Sequence, residues 1–138
     1  MVPQGHGHVV NMASMLGELA CPGAAVYCGT KFAVAGFSDA VRREITVPDV
    51  HVTTVLPAFV DSDLTAGLPA VRGFRRLTPD EVAIAVADVI DRPRRRVYVP
   101  RSAAAVLQVQ RVLPARAVDR VLRPFGLHRM FMDPRRRR

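Results

Sequence analysis

Tyr27-Cys28-Gly29-Thr30-Lys31 sets a phenol and an ammonium four residues apart. On a helix that spacing brings both side chains to one face, and a helix starting near residue 27 would project them from its N-terminal end. A free phenol gives up its proton only near pH ~10 and is a poor acid or base at neutral pH. A cation beside it favours the phenolate, and the positive end of a helix dipole works in the same direction. Such a pair can move a proton on or off an alcohol oxygen. Lys31 is the single lysine among 20 basic residues, and Tyr27 is one of two tyrosines. Placement alone would give this spacing in roughly 1 of 70 such sequences, so the motif is moderately specific, and an exposed helix lysine is the plain alternative. A compact ammonium with three rotatable donors serves a phenol and a sugar hydroxyl together more readily than a planar guanidinium does.

The surrounding elements must position this pair. His8-Val9-Val10-Asn11-Met12-Ala13 is short and apolar and reads as a strand buried on both faces, as in a parallel sheet. Ser14 stands at its C-terminal end. Residues 15–25, with Gly17, Pro22 and Gly23, read as an irregular loop. From Tyr27 to Ile45 no proline intervenes, and Phe32, Ala35, Phe37, Ala40 and Val41 recur at helical spacing, which predicts a helix. Val50 to Leu56 is rich in β-branched residues and reads as a second buried strand, ended by Pro57. Ala58 to Arg76 is a long connection, of a length that is often functional. Thr78-Pro79-Asp80-Glu81 predicts a helix start with a capping box, and the helix, running to Asp91, would turn Val82, Ala85, Val86 and Val89 to one face. Arg96 to Pro100 reads as a third strand. The order β-α-β-loop-α-β predicts an α/β fold with an open parallel sheet over residues 1–101. Residues 102–138 read as a basic tail, with one or two amphipathic helices broken at Pro114 and Pro124.

In open α/β sheets, ligands bind beyond the carboxyl ends of the strands, which is where Ser14 falls. Val10-Asn11-Met12-Ala13-Ser14, Tyr27-x-x-x-Lys31 and Leu56-Pro57-Ala58-Phe59-Val60-Asp61-Ser62, in that order and spacing, resemble the short-chain dehydrogenase/reductase family, most closely over residues 5–65. The resemblance implies a Rossmann-type doubly wound parallel sheet, of which this chain holds only the C-terminal strands and helices. It also implies an NAD(P)-dependent oxidoreductase that interconverts alcohols and carbonyl compounds by hydride transfer. Tyr27 would exchange the proton with the substrate oxygen, Lys31 would favour the phenolate and hold the nicotinamide ribose, and Ser14 would orient the substrate carbonyl. Tyr27, Lys31, Pro57, Ala58, Val60 and Ser62 would contact the cofactor, NAD or NADP. Ser14, Leu16, Leu19 and Ala20, with the loop from Leu64 to Phe74, would line a site for a bulky or lipid-like alcohol or ketone. Ala58 stands where the family has glycine, and Ser62 where threonine is usual. A Gly-rich pyrophosphate turn has no counterpart here, since Gly5-His6-Gly7 lacks its spacing. The expectation is therefore a truncated chain without the dinucleotide-binding half, in which lie the residues that separate NAD from NADP. The Tyr27–Ile45 helix would serve as the interface of a homo-oligomer. The alternative is a catalytically inactive fragment acting as a dimerisation module.

The remaining features narrow the function classes. Hydrophobic residues make up 49% and charged residues 23%, ordinary for a globular chain. No apolar run is long enough to span a bilayer, and MVPQGHGHVV has no leader pattern, so a cytoplasmic location is expected. The net charge of +8 comes from arginine. The runs Arg94-Arg95-Arg96 and Arg135 to Arg138 lack interleaved aromatics or a zinc-finger pattern, which disfavours nucleic acid. Packing of the tail on the domain or on a partner chain is favoured over a membrane surface. Cys21 and Cys28 read as small, partly buried thiols. His6 and His8 have no acidic or cysteine partner at ligand spacing, so no metal is expected; His51 and His128 have no evident partner either.

Overall fold

The computed structural model describes residues 1–69, 71–127 and 131–132; His128 and Arg135 to Arg138 lie outside the described residues. Strands β1 (His6–Met12), β2 (Asp49–Pro57) and β3 (Arg96–Val99) form a parallel sheet in the order β1-β2-β3. Helix α1 (Ala25–Glu44) crosses from β1 to β2, and α2 (Pro79–Asp91) from β2 to β3. Two further helices, α3 (Ala103–Val112) and α4 (Ala115–Leu122), follow β3. β1 and β2 pair from His6↔Asp49 to Met12↔Val55, and β2 and β3 from Thr54↔Arg96 to Pro57↔Val99.

Strand side chains alternate between the two faces, so one sheet can hold helices on both. Val55, Val97 and Val99 pack with Val89 of α2, and Val82, Ala85 and Val86 lie against that cluster. On the opposite face, Arg42 of α1 donates from Nη2 to Thr54 Oγ1 at 3.3 Å and from Nε to the Val52 carbonyl at 2.9 Å. Asn11 of β1 donates to Ser38 Oγ of α1 at 2.9 Å. Helices thus cover both faces of an incomplete Rossmann-type sheet, as the sequence implies. α2 starts as its sequence predicts: Thr78 Oγ1 accepts from the Glu81 N–H at 3.3 Å, and the Glu81 carboxylate accepts from the Thr78 N–H at 2.9 Å. The hydrogen bond from Arg75, with that from the Thr78 backbone, holds the Glu81 carboxyl down at about 2.

One expectation is corrected. β1 is not buried on both faces: none of its residues is fully buried, and Val9 and Met12 are exposed. It is the edge of the sheet among the described residues, with β2 on one side only. Of the apolar α1 residues at helical spacing named above, only Ala35 is buried, beside Cys28 and Ser38. Phe37 is 63% exposed, because two residues beyond Ala35 a helix has turned by about 200°.

The loop after β1 is irregular as expected, apart from one short turn. Met15–Gly17 forms a 3-10 turn that packs against α1 so closely that a Cβ on Gly17 would lie 2.7 Å from the Lys31 carbonyl oxygen. Arg96 of β3 ties this segment to α1, donating to Glu18 through Nη1 and to Asp39 through Nη2. Arg111 of α3 adds a 3.0 Å bond to Glu18, and the Tyr98 hydroxyl lies 3.3 Å from both Glu18 oxygens. Burial opposes the charge on Asp39, but the hydrogen bonds and charges of Arg42 and Arg96 outweigh it and hold its carboxyl below the usual range. Cys21 and Cys28 are free thiols, and both are fully rather than partly buried. Burial, with Cys28 nearby, pushes the Cys21 thiol up to about 11.

A carboxylate whose folded pKa is depressed stabilises the fold above its unfolded value of about 3.9, and that contribution vanishes as the pH falls through the folded value. Denaturant midpoints should therefore drop below about pH 4, and Asp39→Asn should be less stable at pH 7 while losing less on acidification. Gly17→Ala should cost about 1–3 kcal/mol in a urea titration, since the added methyl meets backbone that cannot swing aside.

Candidate active site

Ser14 is held in an extended conformation just past β1, at the start of the 3-10 turn. Its Oγ accepts from the Leu16 N–H at 3.1 Å, and Ser14 is buried. A hydroxyl that accepts on one lone pair still has its proton to donate. Tyr27 lies in the first turn of α1 and is half-buried. One turn later, Lys31 Nζ donates to the Met12 carbonyl at 3.2 Å and lies 5.8 Å from the centroid of the Tyr27 ring. The β1 carbonyl thus anchors the ammonium beside the phenol, and two of its three N–H groups remain for other acceptors.

These residues border two cavities. The smaller, about 310 Å³, is lined by Tyr27, Lys31, Pro57, Ala58, Val60 and Ser62 together with Met12 and Val82. All six residues expected to contact a cofactor therefore share one cleft. The larger, about 490 Å³, is mostly apolar, with Met15, Leu16, Phe59, Leu64, Leu68 and Phe131 in its wall. Ser14, Tyr27, Ala58, Leu64 and Thr65 line both. The serine and tyrosine thus stand where the cavities meet, and Lys31 borders only the smaller.

The connection after β2 forms the far wall. Val60 bridges Leu77, with Leu77 N–H donating to the Phe59 carbonyl at 2.7 Å, which closes the loop at its base. Within it Asp63–Thr65 is a 3-10 turn, where the Thr65 hydroxyl donates to the Val60 carbonyl at 2.5 Å and accepts from the Ser62 N–H at 3.2 Å. Arg76 fastens the loop further through the Leu68 and Thr65 carbonyls.

Leu16 lines the larger cavity as expected, but Leu19 and Ala20 do not. After the 3-10 turn the chain bends away, and both line a separate cavity against α4 and Leu127. Of the Leu64 to Phe74 loop, Leu64, Thr65 and Leu68 reach the larger cavity, whereas Phe74 packs edge-on against Phe59 and Phe125. Val26 and Phe131 were not foreseen as lining. Val26 could have been found beside Tyr27, but no spacing in the sequence marks Phe131.

A family model described as short chain dehydrogenase matches residues 1–72, which include Ser14, Tyr27, Lys31 and the segment from Pro57 to Ser62. The chain is 30% identical over 135 residues to "Uncharacterized oxidoreductase YbbO" of Escherichia coli K12, covering 88% of this chain and 50% of that protein. It is 31% identical over 120 residues to human "17-beta-hydroxysteroid dehydrogenase 13", covering 85% of this chain and 40% of that one. It spans about half the length, or less, of these curated relatives. Among solved structures, a short chain dehydrogenase from Burkholderia cenocepacia J2315 in complex with NADP superposes with a TM-score of 0.72 at 22% identity, over 88% of this chain and 49% of that chain. Serine dehydrogenase from Escherichia coli superposes with a TM-score of 0.58 at 29% identity, over 71% and 41%. A parallel sheet with helices on both faces and a family model that matches residues 1–72 establish that the chain belongs to the short-chain dehydrogenase family.

Proposed function

We propose that this chain carries the reaction centre of an NAD(P)-dependent oxidoreductase that interconverts an alcohol and a carbonyl compound, with Ser14, Tyr27 and Lys31 as its working residues. The observation that carries this reading is the meeting of the two cavities at Ser14 and Tyr27. The smaller cavity fits a nicotinamide and its ribose: Met12, Pro57, Ala58, Val60 and Val82 offer apolar walls for a flat ring, and the Lys31 ammonium has donors left for sugar hydroxyls. When bound, the nicotinamide supplies a hydride in reduction and takes one up in oxidation.

The residues divide the rest of the reaction. In the reducing direction, the Tyr27 hydroxyl gives its proton to the carbonyl oxygen as the carbon gains the hydride, so the product is a neutral alcohol. Ser14, whose lone pair is engaged by the Leu16 N–H, keeps its proton and donates a hydrogen bond to the same oxygen as negative charge builds there. Lys31, anchored on Met12, stabilises the phenolate that remains until solvent reprotonates it. Oxidation runs the same steps backward. A cavity of about 490 Å³ with mainly aliphatic and aromatic walls suits a bulky apolar alcohol, of the size that the name of the human relative denotes. With two free thiols and no helix among the described residues long and apolar enough to cross a membrane, the cytoplasm is the compartment that fits.

The exposed face of α1 favours a second feature. Val26, Phe32 and Phe37 are exposed large apolar residues there, and Phe37 alone leaves a phenyl ring in water. We take this face to join two copies of the chain. The same surface would serve a non-catalytic dimerisation module, so cofactor binding separates the two readings.

Calorimetric titration of the 138-residue chain with NADPH, and separately NADH, should give micromolar binding; a folded sample that binds neither leaves the module as the surviving reading. Tyr27→Phe should keep that affinity within about threefold while turnover of an aromatic or alicyclic ketone falls by about 10²–10⁴. A Phe37→Asp variant should sediment as a monomer where the parent is dimeric, because a carboxylate placed in an apolar contact would have to shed its water.

A further inference from the structure

α4 separates two openings of opposite character. On one side Val118, Val121, Leu122 and Phe125 join Val109 and Leu113 around an apolar groove of about 320 Å³ shared with α3. Several of these side chains remain open to solvent: Val109 is 48% exposed and Val121 47%, and Val112 beside them reaches 84%. On the other side Arg116, Arg120 and Arg123 line a cavity of about 570 Å³ with Leu19 and Leu127. Asp119 stands within helical reach of Arg116 and Arg123, yet none of these three arginines enters an ion pair among the described residues. From Arg101 to Leu127 the sequence holds five arginines and one acid, Asp119.

We propose that the α3–α4 hairpin is a docking surface for a bilayer leaflet that carries anionic phospholipid. Guanidiniums are planar forks matched to phosphate, and the aliphatic side chains across the helix suit the boundary between headgroups and acyl chains. The charge argues against the other occupants of an apolar face. A second copy would bring the same excess of arginine onto this one and be repelled. Nucleic acid would engage the arginines but leave the valines in water. An amphipathic helix with an arginine face and an aliphatic face meets both needs only at a lipid surface.

Flotation of the 138-residue chain with vesicles tests this directly. It should bind vesicles of equal parts phosphatidylglycerol and phosphatidylcholine, and bind pure phosphatidylcholine at least tenfold more weakly. Arg116→Gln, Arg120→Gln and Arg123→Gln should each cost about fivefold in partition, since each basic residue near an anionic surface adds a comparable increment. Val112→Ser should weaken the binding that remains at high salt, and its exposure leaves the fold intact. Equal partition into both vesicle types, or none into either, would overturn the proposal. So would full displacement from the vesicles by millimolar inorganic phosphate, which would assign the arginines to a soluble anion. Retention on duplex DNA as strong as on the vesicles at the same salt would also sink it. The parent chain's comparison of the two vesicle types stands even if a variant fails to fold.

Discussion

The guanidinium of Arg96 holds together two parts of the chain that the chemistry needs in one frame. One nitrogen reaches Glu18, in the segment that leaves Ser14, and another reaches Asp39, on the helix that carries Tyr27 and Lys31. Glu18 is nearly shut off from water, at 7% side-chain exposure. Removing a partner from such a pair typically costs about 3–5 kcal/mol, because the stranded charge has no solvent to turn to. Arg111 and Tyr98 share the load on Glu18, and Arg42 shares it on Asp39. The network reaches from β3 and α3 to the catalytic segment without any of its members lining the two cavities where the reaction is placed.

Packing adds a second constraint to the same frame. The 3-10 turn after Ser14 touches the backbone of α1 at Lys31 because Gly17 has no side chain. Sheet, turn and helix therefore meet around the lysine: β1 supplies the Met12 carbonyl to its ammonium, and the turn abuts its own carbonyl.

Much of this was legible in the sequence where local rules decide the outcome. The Thr78 to Glu81 cap fixed the start of α2, and Pro114 and Pro124 divide the tail where α3, α4 and the turn after it meet. Ser14, Tyr27 and Lys31 were legible because their spacing is short and their residue types are scarce in this chain. What local rules missed depends on partners far along the chain. An apolar strand sequence does not say how many neighbours the strand has, so the exposure of β1 was hidden. Apolar residues on α1 fill two faces, and spacing alone does not tell which one meets the sheet. Leu19 and Ala20 follow Ser14 closely, but the direction of the chain after Gly17 carries them to a cavity beside α4 and Leu127.

The pairing of β1 with β2 carries one more implication. Their register runs without interruption from His6↔Asp49 to Met12↔Val55, and the Ala13 N–H extends it by donating to the Val55 carbonyl at 2.9 Å. Ser14 comes next. In an extended chain a shift of one residue turns a side chain to the opposite face. Gaining or losing one residue between Asn11 and Ser14 would swing the hydroxyl out of the cavities while leaving the strands paired. The sheet thus works as a ruler as well as a scaffold, measuring out a fixed number of residues before the serine.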